Sequence, residues 1–287
     1  MLAVVLGFGA AACGGFADFA AGVAARRLAP EVVAFWTQGV GVLVGSIFLL
    51  LLRPALAPAQ LPWGLAAGLM AGVSIALLYR AMALGAISLV VPLAASSVVF
   101  PVAFAVATGE TLTPLARVGI IAIIGGVALA TFHPAPAASH AGGAGGGGRR
   151  LAVTLALASA VASGVFLVRI DLAPAGGTCW GPFWTAGAVR VSSFAVQAGL
   201  VALGPHPLTS PGRLALPVVA AGALNQIALV LVGSGATTGS YCVVTSLMGL
   251  YPVITALLGV VVLGERLTRM QASGAILAMA GVGLVSA

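Results

Sequence analysis

Long apolar stretches alternate along the chain with short breaks of proline, glycine and arginine. A transmembrane α-helix needs about 20 consecutive apolar residues, and ten stretches approach or exceed that length. They predict helices at 2–25, 31–52, 61–84, 86–107, 113–132, 151–173, 178–203, 212–235, 240–262 and 268–286. The pattern therefore predicts an all-α integral membrane protein with ten transmembrane helices.

One break is longer than the others. The segment HPAPAASHAGGAGGGGRR at 133–150 is rich in proline and then in glycine, and it has no apolar periodicity. Such composition is typical of a flexible connector. We therefore expect two units of five helices, at 1–132 and 151–287, with a Pro/Gly-rich linker between them.

Short sequences recur in the two units in the same order. GETLT at 109–113 returns as GERLT at 264–268, and FWT at 35–37 returns at 183–185. ALGAISLVV in the first unit is echoed more weakly by TTGSYCVVT in the second. Recurrence near both ends of each unit favours duplication over chance similarity.

An odd number of helices per unit means that the second unit starts on the opposite face of the membrane. The units are therefore predicted to be inverted repeats, which in transporters enclose a site near the midplane that opens alternately to either face. The recurring Glu110 and Glu265 would then lie on opposite faces and could not share one reaction. We interpret them as structural residues of the turns between the last two helices of each unit, where Gly109 and Gly264 suit helix C-termini.

Composition agrees with this assignment. The 287 residues are 61% hydrophobic and 6% charged, and the mean hydropathy is +1.19. The apolar N-terminal stretch continues into further spans, so it is interpreted as the first helix and not as a cleaved signal. The net charge is +7, but the arginines lie mostly at span ends, where they set topology and meet lipid headgroups. We therefore do not expect nucleic acid as a partner.

Missing residue types disfavour other chemistry. The sequence contains no lysine, so it has no P-loop and cannot be a self-contained P-loop ATPase. Energy would come from a substrate or ion gradient, or from a separate subunit. Cys13, Cys179 and Cys242 are isolated in sequence and lack the spacing of metal ligands, so neither a metal site nor a cofactor is predicted.

Three stretches carry a resemblance to a known family: YRAMALGAISLVVPLAA at 79–95, LYPVITALLGVVVLGERLT at 250–268 and GAILAMAGVGLV at 274–285. With five plus five spans, the chain resembles the EamA-type branch of the drug/metabolite transporter superfamily. The resemblance implies a basket-like bundle around a central cavity. It also implies transport of amino acids, other metabolites or drugs, often outward.

Ionisable residues inside a span need a partner or a function, because each costs at least about 2.5–3.5 kcal/mol to insert. Asp18 could titrate a proton or neutralise a substrate ammonium; alternatively it is an interfacial residue that pairs with Arg26 or Arg27 or reaches water. Arg190 could hold a substrate carboxylate bidentately; alternatively it pairs with Asp18 or Asp171, or reaches the interface. Arg80 is interpreted as an interfacial anchor.

Other candidates are polar or aromatic. Asn225 and Gln226 lie mid-span and could face the cavity or form hydrogen bonds between helices. Trp36 and Trp184 share a repeat position; interfacial anchoring is the first interpretation and a cavity wall the second. The resemblance implies that the third, fourth and ninth helices line the cavity, which adds Tyr79, Ser96, Tyr241, Thr245 and Tyr251.

These observations favour a secondary transporter in the cell membrane that exports small metabolites, amino acids first, by alternating access. Its partners would be a small-molecule substrate, the lipid bilayer and a proton as coupling ion, and a monomer would suffice. The alternative within the same class is multidrug efflux. An intramembrane transferase is a different class, disfavoured because the five acidic residues are scattered; a structural scaffold is the remaining option.

Two arguments about orientation disagree. The resemblance implies cytoplasmic termini. With that orientation the outer loops would carry seven arginines and the inner loops, with one span end, three, whereas the positive-inside rule expects the reverse. A reporter fused to the C-terminus would decide between the two orientations.

Overall fold

The computed structural model describes residues 2–53, 55, 58–107, 114–132, 146–171, 181–237, 244, 247–248, 250–265 and 267–285. The helices with described bounds are α1 (Leu2–Ala25), α2 (Pro30–Leu52), α3 (Leu61–Leu84), α4 (Ile87–Ala95), α5 (Val99–Ala107), α6 (Pro114–Phe132), α7 (Gly146–Asp171), α8 (Gly181–Leu203), α9 (Ala215–Thr237), α10 (Tyr251–Leu263) and α11 (Arg269–Val285). Within these ranges there is no β-strand, so the described part of the chain is all-α.

Helix lengths agree with a membrane protein. Six helical segments in the described ranges are long and apolar enough to cross a bilayer: Leu2–Ala25, Pro30–Leu51, Pro58–Leu84, Gly148–Phe166, Phe183–Leu203 and Gly212–Val232. Shorter apolar segments lie at Arg117–Gly126, Tyr251–Leu263 and Ala272–Gly281. The start of the predicted helix 240–262 falls largely outside the described residues, so the count of ten spans stays a prediction. Residues 133–145 of the predicted linker also lie outside them, and α7 already begins at Gly146.

The prediction of one continuous helix at 86–107 is wrong. The chain forms α4 and α5 there, with a 3-10 turn of three residues between them. Ser96 donates its hydroxyl hydrogen to the carbonyl oxygen of Leu93 at 2.7 Å, which competes with the helical backbone pattern. Pro101 has no N–H to donate to the carbonyl of Ser97, so the ladder is interrupted at the same place.

Helix contacts in the first unit have counterparts in the second. Helix α3 packs against α7 and α8, and α9, which holds the same place in its unit, packs against α1 and α2. Helices α2 and α8 contact each other, as do α6 and α11. In addition, α10 begins at Tyr251, the position that the recurring sequences equate with Ser96 at the break in the first unit.

The two recurring tryptophans form equivalent hydrogen bonds. Trp36 of α2 donates its indole N–H to the carbonyl of Thr209, in the loop between α8 and α9, at 3.0 Å. Trp184 of α8 donates to the carbonyl of Ala55, in the loop between α2 and α3, at 2.8 Å. Each unit thus fastens a loop of the other, which makes the contacts reciprocal.

Glycines allow the closest contact between the last helices of the two units. A Cβ atom at Gly126 of α6 would collide with the backbone of Gly274 and Ala278 in α11. One at Gly281 of α11 would collide with the backbone of Gly119 in α6. Small residues of this kind let membrane helices approach each other closely.

A carboxylate joins three helix ends. Glu265, in the turn after α10, pairs with Arg26 after α1. It also accepts the backbone N–H groups of Ile87 at 2.9 Å and Ser88 at 2.8 Å, at the start of α4. Arg26 donates in turn to the carbonyl of Gly85 at 3.0 Å. Glu265 therefore caps α4 and ties it to α1 and to the turn between α10 and α11.

The sequence predicts a structural role for the recurring glutamates within their own turns, and Glu265 also links its turn to other helices. Glu265 lies in its own turn, but its partners are distant in sequence: Arg26, which follows α1, and the first residues of α4. Gly264 ends α10 with φ +64°, the left-handed conformation that favours glycine at a helix C-terminus. Gly109 and Glu110 lie outside the described residues.

Candidate functional site

Helices α1, α2, α3, α8 and α9 surround a small cavity of about 40 Å³. The rest of its wall is formed by apolar residues and a glycine. Its polar side chains are Asp18, Thr37, Gln38, Tyr79, Arg190 and Asn225. One cavity therefore contains an acid from the first unit and a base from the second.

Neutral amides hold the guanidinium of Arg190, which is 7% exposed. Its Nη1 donates to Oε1 of Gln38 at 2.7 Å, its Nη2 to Oδ1 of Asn225 at 2.5 Å, and its Nε to Oε1 of Gln226 at 3.1 Å. Helix α2 leaves room for the side chain, because a Cβ atom at Gly41 would stand 3.1 Å from the Nε of Arg190. The guanidinium is thereby fixed between α2 and α9.

These contacts satisfy hydrogen bonds without neutralising the charge. A guanidinium has five N–H donors, so three contacts to amides leave two donors for another partner. No carboxylate among the described side chains lies within salt-bridge distance of Arg190. Burying a cation without a counter-ion is costly. The arrangement is therefore suited to binding an anion from outside the chain.

Asp18 is likewise a buried ionisable residue without an ionic partner among the described residues, and its charge is negative. It is 9% exposed, and no cation among the described residues lies within salt-bridge distance of its carboxylate. Arg26, which the sequence offers as a partner, pairs with Glu265 instead. Tyr79 lines the same cavity and interacts electrostatically with both Asp18 and Arg190.

The beginning of α10 lies beside this acid. Tyr251 packs on α1, where a Cβ atom at Gly14 would stand 3.3 Å from the Cβ of the tyrosine. Thr255 donates its hydroxyl to the carbonyl of Gly15 at 3.1 Å, and Tyr251 interacts electrostatically with Asp18.

A second small cavity, of about 20 Å³, lies between α2, α8 and α9. Its wall is mostly apolar and includes Phe48, Phe183 and Leu229. Gln226 lines this cavity and also contacts Arg190 of the first one. Gly45 leaves space for that amide, because a Cβ atom there would stand 2.8 Å from its Nε2. Gln226 therefore lies at the boundary between a charged and an apolar cavity.

Comparison with known proteins assigns the chain to a class. The sequence pattern of the EamA-like transporter family matches residues 1–132 and 150–287. The chain belongs to the EamA-like transporter family. It is therefore a membrane transporter of the drug/metabolite transporter superfamily, as the resemblance implied.

A solved structure described as "Crystal structure of protein" is similar to this EamA-like transporter in fold. The two chains are 22% identical, and the alignment covers 98% of this chain and 95% of the other, with a TM-score of 0.61. At this sequence identity, the similarity indicates a shared fold and nothing about function. No curated protein matches the chain in sequence.

The sequence-predicted residues of this EamA-like transporter fall into separate places. Asp18, Tyr79, Arg190 and Asn225 line the charged cavity, and Gln226 contacts Arg190 from its edge. These five are brought together from four helices, although the sequence separates the first from the last by more than two hundred positions.

The remaining predicted residues lie elsewhere. Trp36 bonds to a loop carbonyl and Ser96 to its own helix turn, and neither is part of the cavity wall. Tyr251 neighbours Asp18 from α10. Tyr241 and Thr245 lie outside the described residues. 

Arg80, predicted to be an interfacial anchor, has a side chain that is 48% exposed and pairs with Glu31 at the start of α2. Its position relative to the membrane surface stays a prediction. The pair also ties the end of α3 to the start of α2, a contact that the sequence did not indicate.

Sequence reasoning missed two polar residues of the cavity wall, Thr37 and Gln38. Thr37 is the last residue of the recurring FWT, and Gln38 follows it directly. Asn225 is a candidate because its amide side chain lies within an apolar span. Gln38 has the same feature. The same rule would therefore have found the third amide that holds Arg190.

Proposed function

We propose that this transporter carries small zwitterionic amino acids across the cell membrane. The observation that supports this is the pair Asp18 and Arg190, which line one cavity while each lacks an ionic partner among the described residues. An α-amino acid brings both missing partners, because its ammonium neutralises the acid and its carboxylate neutralises the base.

The way in which Arg190 is held favours a carboxylate. Its three amide contacts leave two N–H donors, and two parallel N–H···O bonds are the usual form of guanidinium–carboxylate recognition. Because Gln38, Asn225 and Gln226 already fix the plane of the group, little conformational freedom is lost when the ligand binds. Such preorganisation raises affinity.

The neighbouring apolar cavity favours a particular group of amino acids. Its wall of Phe48, Phe183 and Leu229 begins beside Gln226, the amide that contacts Arg190. A ligand with its carboxylate on Arg190 could direct an apolar or aromatic side chain into that space. We therefore place amino acids such as leucine and phenylalanine ahead of polar ones.

Alternating access between two inverted five-helix repeats is the mechanism that we propose. It is supported by the reciprocal hydrogen bonds of Trp36 and Trp184 and by the matching helix contacts of the two units. A site built from both units can open to either face when one unit rocks against the other. Export is the proposed direction.

Reconstituted transport tests the proposal directly. Purified protein in liposomes is loaded with unlabelled phenylalanine and given the labelled compound outside, so that exchange requires no ion gradient. We expect labelled phenylalanine to enter, whereas phenethylamine, which lacks the carboxylate, and phenylpropionate, which lacks the ammonium, compete poorly. No flux above empty liposomes for a panel of amino acids and cationic drugs would end the proposal.

Two substitutions test which residue binds the carboxylate of the substrate and which binds its ammonium. Arg190→Gln should raise the concentration of phenylalanine needed for half-maximal exchange about 30-fold, because charge-assisted hydrogen bonds to the ligand are lost. Asp18→Asn should weaken exchange through the ammonium. Arg213→Gln is the matched control, because this arginine is exposed in the 3-10 turn before α9. Normal exchange in both cavity variants would contradict the site and leave transport itself standing.

Multidrug efflux is the second candidate, and the apolar second cavity is the observation that favours it. A cationic drug would use Asp18 and the apolar wall but has no carboxylate for Arg190. Under that alternative, phenethylamine should move as well as phenylalanine, and Arg190→Gln should leave its flux unchanged. The same liposome assay therefore separates the two candidates.

A further inference from the structure

Asp18 lies among groups that leave its charge unneutralised. The titratable groups facing it are Tyr79 from α3 and Tyr251 from α10, both neutral phenols at physiological pH, and Arg190 across the cavity on α8. Helices α2 and α9, which also pack against α1, contribute no described titratable side chain to this wall. Among the described residues, no cation thus lies within salt-bridge distance of this acid.

A buried carboxylate without a paired cation has to be neutralised in some other way. Taking a bare carboxylate out of water costs several kcal/mol unless a cation or a proton neutralises it. The described residues provide no paired cation, so a substrate ammonium or a proton has to do so. Both occupy the same two oxygens, and they therefore exclude each other.

We propose that Asp18 is the proton-binding site of this transporter, and that a proton and the substrate ammonium compete for it. This inference rests on the proposed function, because it names the coupling ion of that same site. Substrate binding at one face releases the proton from the carboxyl group to water on that side. After the substrate has left at the other face, a proton from that side protonates the empty carboxylate. The protonated site then returns to the conformation that is open to the first face.

The exchange has a definite charge balance. One proton moves inward for each amino acid that moves outward, and a zwitterion carries no net charge. Each cycle therefore moves one positive charge inward, so both a pH gradient and a membrane potential should drive export. A site that bound the ammonium without a competing proton would respond to neither.

Proteoliposomes with a pH-sensitive dye inside test this coupling. With the membrane potential clamped at zero, a one-to-one exchange should accumulate phenylalanine about tenfold per pH unit on the acidic side. The dye should report proton movement that starts only when phenylalanine is added. Empty liposomes and liposomes without phenylalanine give the background leak.

Substitutions locate the proton. Asp18→Asn should lose the dye signal and the response to the gradient, while phenylalanine exchange persists at weaker affinity because an amide oxygen still accepts a hydrogen bond. Asp18→Glu should restore the coupling. Glu31→Gln is the matched control: that carboxylate has Arg80 as a partner, so its loss should leave the coupling intact.

The outcomes are distinguishable from failure of the proposed function. If wild-type protein exchanges phenylalanine but moves no protons and ignores the pH gradient, the proton site is overturned and amino-acid transport stands. If no amino acid exchanges, the proposed function fails and the inference with it. Coupling that survives in Asp18→Asn places the proton elsewhere and also overturns the proposal.

A measurement on wild-type protein covers the case in which Asp18→Asn does not fold. Competition predicts that KM for phenylalanine in exchange rises as the pH falls, by up to about tenfold per pH unit, while the maximal rate stays constant. A KM that is independent of pH over the range in which the protein stays folded would contradict competition at this carboxylate.

Discussion

Arg26 and Arg190 are both drawn into the bundle, but they have opposite surroundings. Arg26 meets the carboxylate of Glu265 where α1, α4 and the turn after α10 come together. Arg190 meets three amide oxygens in the middle of the bundle and no described carboxylate. The fold therefore neutralises the first guanidinium and only orients the second.

This difference separates a structural cation from one that is available to a ligand. A neutralised pair is expensive to break, because removing one partner leaves the other charge desolvated. A cation held by neutral amides has its hydrogen bonds but keeps its charge for an incoming anion. The acids divide in the same way, since Glu265 and Glu31 have arginine partners and Asp18 has none among the described residues.

The largest effect that we expect is on the neutralised pair. Glu265→Leu should lower the free energy of unfolding by about 3 kcal/mol, because Arg26 loses its counter-ion and the first N–H groups of α4 lose their acceptor. Thermal unfolding in detergent, followed by the amount of monodisperse protein that remains, measures the change. Molecules that do fold should still bind phenylalanine.

Glu265→Gln is the graded control for that experiment. Its amide oxygen can still accept an N–H group of α4, but it cannot neutralise Arg26, so we expect a smaller loss than with leucine. Equal stability of the wild type and Glu265→Leu would mean that this pair contributes nothing to the fold. The contrast with Arg190 would then lose its basis.

The fold was largely predictable because it depends on local properties of the chain. Lipid requires long apolar helices, so α1 and α3 have the bounds that hydropathy and punctuation predict, 2–25 and 61–84. The break between α4 and α5 depends on a serine hydroxyl and a missing proline N–H, which hydropathy does not report. The contact between Arg26 and Glu265 joins residues from opposite ends of the chain, and no local pattern specifies it.

The sequence predicts those site residues whose type is rare inside a transmembrane span. Asp18 and Arg190 were found because a charge inside a span is unusual. That they line one cavity without pairing depends on how five helices pack, and the sequence left a direct pair open. Tyr241 and Thr245, which only the family resemblance indicated, stay predictions.

A smaller effect is expected from a change that disturbs only the orientation of Arg190. The Cβ atom of Gly45→Ala would stand 2.8 Å from the Nε2 of Gln226, so the end of that flexible side chain has to shift, which disturbs its hydrogen bond to Arg190. We expect apparent affinity for phenylalanine to fall about fivefold, the value of one hydrogen bond, with little change in stability. Gly199→Ala is the control, because its added Cβ meets no atom within 4 Å. Unchanged affinity in Gly45→Ala would show that the amide does not orient Arg190.

The smallest change in stability should come from the residue with the largest effect on transport. Arg190→Met keeps an apolar stem at this position and removes a buried charge that no described carboxylate neutralises. The lost hydrogen bonds and the relieved desolvation oppose each other, and the freed amides can bond to one another or to water in the cavity. We expect the free energy of unfolding to change by less than about 1 kcal/mol, while exchange of phenylalanine is lost. A loss of stability as large as that of Glu265→Leu would instead make Arg190 a structural cation, and the distinction between the two arginines would fail.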